Sequence, residues 1–232
     1  MNPKSEAIES NLSGYYCYDE QYLKIDGKRF YRINLIDSIL NKPVRESIVN
    51  DLEYDTVKSF IEKAISGIPV HAITTDHRRE YKSIMDELKI NHQLCIFHLY
   101  KLIGKEIFPK LRSKFISTTN KIRLCILFTE IKEIFRTFDL NIAINRLNEL
   151  LEKSNTTPRI FNKFIQKIEG DFERFTLFMR DGFVSRTTNP IENYYRTTMP
   201  DSLKRIFKTP HGALKYLDLR KNYWLNNISK NI

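Results

Sequence analysis

Aromatic and β-prone runs separated by turn signals lead up to Val49, and a helical period follows. Gly14-Tyr15-Tyr16-Cys17-Tyr18 opens an aromatic, β-prone run that predicts a strand to about Ile25. Asp26-Gly27 is a hairpin turn signal, Phe30 to Ile36 reads as a second strand, and Pro43 to Val49 reads as a third after a turn at Asn41-Lys42. Val57, Phe60, Ile61, Ala64, Ile65 and Ile68 then fall on one face of a helix, which Gly67 and Pro69 end. Val70 to Ile73 predicts a short buried strand that stops at Thr74-Thr75-Asp76. A second helix follows, with Tyr81, Ile84, Met85 and Leu88 on one face. Residues 93–97, QLCIF, read as a fifth strand running into a helix around His98 to Ile103.

From about Lys105 to Phe178 the pattern is helical throughout. Ile131, Ile134, Phe135 and Phe138 share one face, and Ile144, Leu147 and Leu151 another. Asn155-Thr156-Thr157-Pro158 breaks the region in two. The last region opens with a helix at Thr188-Asn189-Pro190 and ends in basic, aromatic sequence. The order β-β-β-α-β-α-β implies a mixed sheet flanked by helices. This is the RNase H-like α/β arrangement, here with an all-helical insertion before the last helix. The expected divisions are a polar lead at 1–13, the first part of the core at 14–104, the insertion at 105–180, and the last part of the core with basic C-terminal helices at 181–232.

With 232 residues, 41% of them hydrophobic, the chain is long enough for one sizeable core. Its formal net charge of +10 suits a polyanionic partner. No apolar run approaches the roughly 20 residues that span a bilayer, and the N-terminus lacks a signal-peptide core, so a soluble cytoplasmic protein is expected, with DNA as partner and no membrane. Three cysteines, Cys17, Cys95 and Cys125, make no disulfide framework.

Asp19 lies in the first strand, Asp76 just past the fourth, and Glu192 in the first turn of the helix after the insertion. In a mixed sheet of this order, strands one and four are neighbours, so three carboxylates converge at the sheet's rim. Hard oxygen ligands from separate elements are what two Mg²⁺ (or Mn²⁺) ions need for phosphodiester chemistry. Each residue also has a plainer reading. Asp19 fits a solvent-facing position, and Asp76 fits the N-cap of the following helix. Glu192 fits N3 of a capping box with Asn189 at the N-cap and Pro190 at N1.

The segments YDEQYLKIDGKRFYRINLID, AITTDHRREYKSIMDELKINHQLCIFHLYK and SRTTNPIENYYRTTMP resemble the DDE transposases of prokaryotic insertion sequences. The likeness is to an archaeal-type form of the lineage related to Mutator-like elements, and it runs over about residues 14–225. Its most specific parts are the Thr-Thr-Asp strand end, Cys95-x-x-His98 and the Asn-Pro-Ile-Glu-Asn box. The resemblance implies that Asp19, Asp76 and Glu192 are the catalytic and metal-binding triad and that residues of about 105–180 are the family's insertion domain. It also implies hydrolytic nicking at the element ends, followed by attack of the freed 3′-hydroxyl on target DNA. Cys95 and His98 are marked as a motif near the active site, where His98 contacts a phosphate or orients Asp76. The pair has half of a zinc-site spacing, but the sequence offers no matching second pair. Of the rival carboxylates, Asp26 reads as a turn residue, Asp37 as a strand end and Asp86 as a polar helix position.

Basic residues cluster at Lys101, Lys105, Lys110, Arg112, Lys114, Lys121 and Arg123, and again at Lys204, Arg205, Lys208, Lys215, Arg220 and Lys221. Phe207, Tyr216, Tyr223 and Trp224 interleave with the second cluster. Arg186, Arg196, Lys204, Arg205 and Lys208 are the expected phosphate contacts, with affinity that falls steeply with salt. Transposases recognise element ends with an additional N-terminal module. Too few residues precede the first strand for one, so either another chain supplies it or the copy is truncated. Three readings follow: a metal-dependent transposase acting as a homo-oligomer on paired ends in the nucleoid, a catalytically silent DNA-binding relic, and an RNase H-like nuclease. The long helical span between Asp76 and Glu192 favours the first.

Overall fold

The computed structural model describes residues 12–153 and 157–228. The expected polar lead at 1–13 lies almost wholly outside them, as do Asn155 and Thr156 of the expected break. Three strands, β1 (Tyr15–Ile25), β2 (Lys28–Asp37) and β3 (Lys42–Val49), lead into α1 (Tyr54–Ile65), β4 (Ala72–Thr75), α2 (Arg79–Glu87) and β5 (His92–Leu94). Six helices follow: α3 (Ile96–Arg112), α4 (Thr118–Ile134), α5 (Leu140–Glu152), α6 (Arg159–Gly170) and the one-turn α7 (Phe172–Phe175) and α8 (Leu177–Arg180). The chain closes with α9 (Asn189–Thr198) and α10 (Pro210–Ile228).

The strands form one sheet in the order β3-β2-β1-β4-β5. β1 pairs antiparallel with β2, and β2 with β3; β4 is parallel to both β1 and β5. This is the RNase H-like α/β arrangement, with an all-helical insertion between β5 and α9. Asp26 (φ 46) and Gly27 (φ 77) turn β1 into β2 through the left-handed region that a two-residue hairpin demands. Gly14 (φ 85) is required at the start of β1, because a β-carbon there would stand 2.4 Å from the His71 ring.

Successive side chains of a strand point to opposite faces, and β1 is buried on both. Tyr16 and Tyr18 pack with Ile33 and Leu35 against Val57, Phe60 and Ile61 of α1 and Tyr81, Ile84 and Met85 of α2. Cys17 faces the other way, into a core with Ile36 and with Ile191, Tyr194 and Tyr195 of α9. Further along that face, Leu23 and Ile25 meet Met199, Ala213 and Leu217. The alternation therefore puts Asp19 and Gln21 under α9 and Glu20 toward α2. The helices α3 to α8 enclose a separate core that reaches the sheet through Ala72 and Leu94. Among the described residues, no helix is long and apolar enough to cross a membrane.

The sequence pattern misses several details. β4 is shifted forward from the expected 70–73, and Ile96 and Phe97, expected in β5, instead open α3. A short apolar run fits either period; here Cys95 takes the N-cap position, and the Ile96 N–H bonds to the Arg186 carbonyl (3.0 Å). Phe138 does not share the α4 core face: it lies beyond the helix and is 67% exposed. In α5 the inward stripe is Ala143, Leu147 and Leu150, not Ile144, Leu147 and Leu151. Ile142 and Ile144 flank Ala143, so two phases of the pattern compete and the smaller residue faces in.

Candidate active site

Asp19 enters the site from the α9 side of β1, opposite Asn34 of β2. Its carboxylate is buried and accepts the N–H of Glu20 (2.9 Å). Burial, and then the like charges of Glu20, Asp76 and Glu192, push its carboxyl well above the usual carboxylate range. A charge is costly to bury without a compensating partner, and here the neighbouring carboxylates make it costlier.

Asp76 follows β4. It is not the N-cap of α2, which is Arg78, although its Oδ1 accepts the Arg78 N–H (3.0 Å). Burial raises its carboxyl above the ordinary value, partly offset by that hydrogen bond and by the neighbouring His98 and Arg78. Glu192 is not at N3 of a capping box. The N-cap of α9 is Thr188, and Glu192 reaches outward, where Lys101 Nζ stands 3.0 Å from its Oε1. Asp19, Glu192 and Lys101 line one cavity of about 550 Å³ together with Glu20, Tyr195, Arg196 and Lys204. Asp76 does not line this cavity; it follows β4, the parallel neighbour of β1, and its charge and that of Glu192 both act on Asp19. Among the described residues, however, no three His, Cys, Asp or Glu side chains are arranged to hold a metal ion as they stand.

Cys95 and His98 both act on the start of α9. The Thr188 N–H donates to Cys95 Sγ (3.3 Å), and Thr188 Oγ1 lies 3.5 Å from that sulfur and 3.4 Å from His98 Nδ1. Cys17 Sγ bonds the adjacent Thr187 carbonyl (3.6 Å). Two buried thiols and an imidazole therefore hold the peptide that leads into the Glu192 helix. His98 Nε2 approaches Glu192 Oε1 to 3.8 Å. Burial holds this imidazole below the usual histidine value despite Asp76, so at neutral pH the approach is not an ion pair.

Behind Asp19 lies a network that the sequence reading missed. The fully buried Arg32 pairs through Nε with Glu46 on β3. Its Nη1 donates to Gln21 Oε1 (3.2 Å) and its Nη2 to Thr198 Oγ1 (2.8 Å). The guanidinium lies 5.0 Å from the Tyr194 ring centroid and 4.8 Å from that of Tyr195. The Tyr195 hydroxyl donates to the Asp19 carbonyl (2.6 Å), and Gln21 Nε2 donates to the Met199 carbonyl (3.1 Å). Asp19 and Glu192 are thereby tied together through the backbone of β1 and the tyrosines of α9. Gln21 opposite Arg32 and Asp19 opposite Asn34 form a polar ladder, and from sequence alone such a ladder reads as a solvent face.

A second network supports Asp76. Arg174 Nη1 can only donate, so His92 Nδ1 accepts from it (3.0 Å) and Nε2–H donates to Thr75 Oγ1 (2.9 Å). Thr75 Oγ1 in turn donates to the Asp76 carbonyl (2.8 Å). Burial, and then the Arg174 charge, push the His92 imidazole down from 6.5 to about 3. The unfolded chain therefore binds a proton that the folded chain refuses across that window. The stability present above the unfolded value is lost as pH falls from 6.5 toward 3. At about pH 5 the loss from this residue is roughly 2 kcal/mol. We expect His92→Gln to be less stable than wild type at neutral pH but to lose stability more shallowly on acidification, by up to roughly 1.4 kcal/mol per pH unit. Parallel denaturation curves for the two proteins across that range would contradict this assignment.

The other sequence-derived residues are dispersed. Arg196 lines the carboxylate cavity and contacts Asn193 Oδ1 (3.0 Å). Lys204 lines it too and pairs with Asp201 (2.6 Å). Arg205 and Lys208 are exposed on the segment between α9 and α10, which runs beside β1 through hydrogen bonds from Lys24 N–H to the Lys204 carbonyl and from Asp26 N–H to the Phe207 carbonyl. Arg186 lines a different cavity, on the insertion side. The interleaved aromatics are largely engaged in packing: Trp224 stacks edge-on to Tyr194 and donates to the Asn41 carbonyl, and Phe207 packs on Tyr216. Asp37 accepts N–H groups of Ser13, Ile39 and Leu40, and Asp86 pairs with Arg174.

No family model matches the chain. Among solved structures, the Drosophila P element transposase strand transfer complex aligns with 92% of this chain and 77% of its own, at 12% identity and a TM-score of 0.46. A simian T-cell lymphotropic virus intasome in complex with PP2A regulatory subunit B56 gamma aligns over 49% of this chain and 48% of its own, at 17% identity and a TM-score of 0.32. Among curated proteins, the 48.3 kDa protein of insertion element ISM1 from Methanobrevibacter smithii is 37% identical over 213 residues, which take in 91% of this chain and 53% of that protein. The chain spans about half the length of this relative, and over nearly all of its own length it is similar to an insertion-element protein.

Proposed function

We propose that the chain is the catalytic part of a DDE-type transposase of an archaeal-type insertion sequence in the Mutator-like lineage, cutting and joining DNA with Asp19, Asp76 and Glu192. The observation that carries this reading is a buried Asp19 on the strand beside the one that leads into Asp76, sharing a cavity with Glu20 and Glu192 and with the basic Lys101, Arg196 and Lys204. Such a constellation is unfavourable for the protein alone and suits a bound cation.

The donor set fits a hard divalent ion: three carboxylates from separate elements. Glu192, partly exposed and held by Lys101, would have to turn from that ammonium toward Asp19 and Asp76. Bound there, two Mg²⁺ or Mn²⁺ ions would stabilise charge on the attacking and leaving oxygens and make water a stronger nucleophile. In the first step, water oxygen bonds to phosphorus as the P–O3′ bond breaks, leaving a 3′-hydroxyl and a 5′-phosphate. In the second, that hydroxyl bonds to a target phosphorus and a target 3′-oxygen leaves. Lys101, Arg196 and Lys204 would hold the phosphates. Arg32 and the Thr188 contacts would keep β1 and α9 in register. Arg186, Arg205 and Lys208 would extend the DNA contact, and a second copy of the chain would hold the partner end. On this reading the protein works in the cytoplasm, associated with the nucleoid.

A second reading, a DNA-binding relic without catalysis, is favoured by one observation: among the described residues, no three His, Cys, Asp or Glu side chains stand ready to hold a metal. The test is a nicking and strand-transfer assay on pre-nicked oligonucleotides carrying candidate element ends. Products that need Mg²⁺ or Mn²⁺ and vanish with EDTA are expected. DNA binding with no metal-dependent product would select the relic.

A further inference from the structure

Beside the carboxylate site, where α3 and α4 meet the segment that leads into α9, lies a second cavity of about 320 Å³. That is the lower end of the roughly 300–1,000 Å³ that bound ligands occupy. Its walls are Phe97, Tyr100 and Phe135, with Lys132, Arg136 and Arg186 around them, and no carboxylate lines it. Phe135 is buried at the base, while Phe97 is 38% exposed. Arg136 is paired with Glu133, so the Lys132 and Arg186 charges are those that would attract an anion, and the Phe97 and Tyr100 rings suit a flat, unsaturated group. The Asn189 side chain at the mouth carries both a donor and an acceptor, as the edge of a base requires. The size admits one nucleotide and excludes a duplex.

The cavity is joined to the carboxylates by one side chain. Lys101 Nζ lies 3.0 Å from Glu192 Oε1 and 4.4 Å from the centroid of the Phe97 ring. Asn189 and Glu192 are one turn apart on α9. We propose that this cavity receives a single unstacked nucleotide of the DNA strand on which the carboxylate site acts, its base against Phe97 and Tyr100 and its phosphate toward Arg186. The inference rests on the proposed DNA reaction and adds to it a place where the duplex is opened. Stacking of a base on an aromatic side chain is sequence-tolerant, so the cavity would select an unpaired position and not a base identity.

The test uses a forked oligonucleotide with 5-iodouracil in its unpaired arm, the matching full duplex, and free thymidine monophosphate. Irradiation is expected to cross-link the fork to Phe97 or Tyr100, as located by peptide mass spectrometry. Phe97→Leu, at a partly exposed position that tolerates the change, should weaken binding of the fork roughly tenfold and leave the duplex unchanged. No cross-link at these residues, with equal effects of Phe97→Leu on fork and duplex, would overturn the inference. If metal-dependent cleavage persisted in that case, the proposed reaction would stand without it. Cross-linking with no metal-dependent cleavage would keep the cavity and remove the reaction. Thymidine monophosphate binding as tightly as the fork would assign the cavity to a free nucleotide and overturn the strand proposal.

Discussion

Glu192→Gln should lose more than about 100-fold of metal-dependent strand cleavage, since disturbing even a group behind a metal ligand costs 10–100-fold. The substitution keeps the shape of the side chain and removes its charge. Its structural cost should be small. The Lys101–Glu192 pair is partly exposed on both sides (44% and 31%), and such pairs contribute about 0–1 kcal/mol. The fold contacts of α9 come from Ile191, Tyr194 and Tyr195 instead. The variant should therefore melt like wild type. It should bind DNA at least as tightly, because Lys101 is released and a negative charge near the phosphates is gone. Loss of cleavage with intact folding and binding separates a chemical role for Glu192 from a structural one. A variant that cuts DNA at the wild-type rate would remove Glu192 from the reaction.

Arg32→Ala should have the opposite character, with a large loss of stability. Removing one partner of a buried ion pair costs about 3–5 kcal/mol, because the other charge is left uncompensated. Here Glu46 would remain buried, and Gln21, Thr198 and the two tyrosine faces would each lose a contact. For a chain of this length the melting temperature should fall by roughly 10 °C. Arg32→Lys should recover little, since an ammonium cannot span the same set of acceptors in one plane. The double variant Arg32→Ala/Glu46→Ala should be more stable than the sum of the single changes implies. Strictly additive losses would show that the pair does not act as a unit.

These two residues also mark how far the sequence is legible. The strands are readable because aromatic and β-branched residues gather between clear turns, and the sheet order follows from hairpins and crossovers. The three carboxylates are readable as points on that topology. Which face of β1 carries Asp19 is not, since Tyr16, Tyr18, Cys17 and Leu23 make both faces apolar. Arg32 is hidden for the same reason: its burial depends on Glu46 from β3 and Tyr194 and Tyr195 from α9, remote in sequence. The start of α9 is displaced by one residue, with Thr188 at the N-cap instead of Asn189, because Cys95 and His98 hold Thr188 from another element. In the insertion, α5 carries apolar residues on more than one face, so its inward stripe is settled only by its neighbours.

On the proposed reading Asp19, Asp76 and Glu192 together hold divalent metal, and titrating the metal-free protein with Mn²⁺ at neutral pH while counting bound ions by electron paramagnetic resonance probes that directly. Saturable binding is expected, abolished in Asp19→Asn and weakened in Glu192→Gln. No binding, or binding unchanged by both substitutions, would contradict that reading.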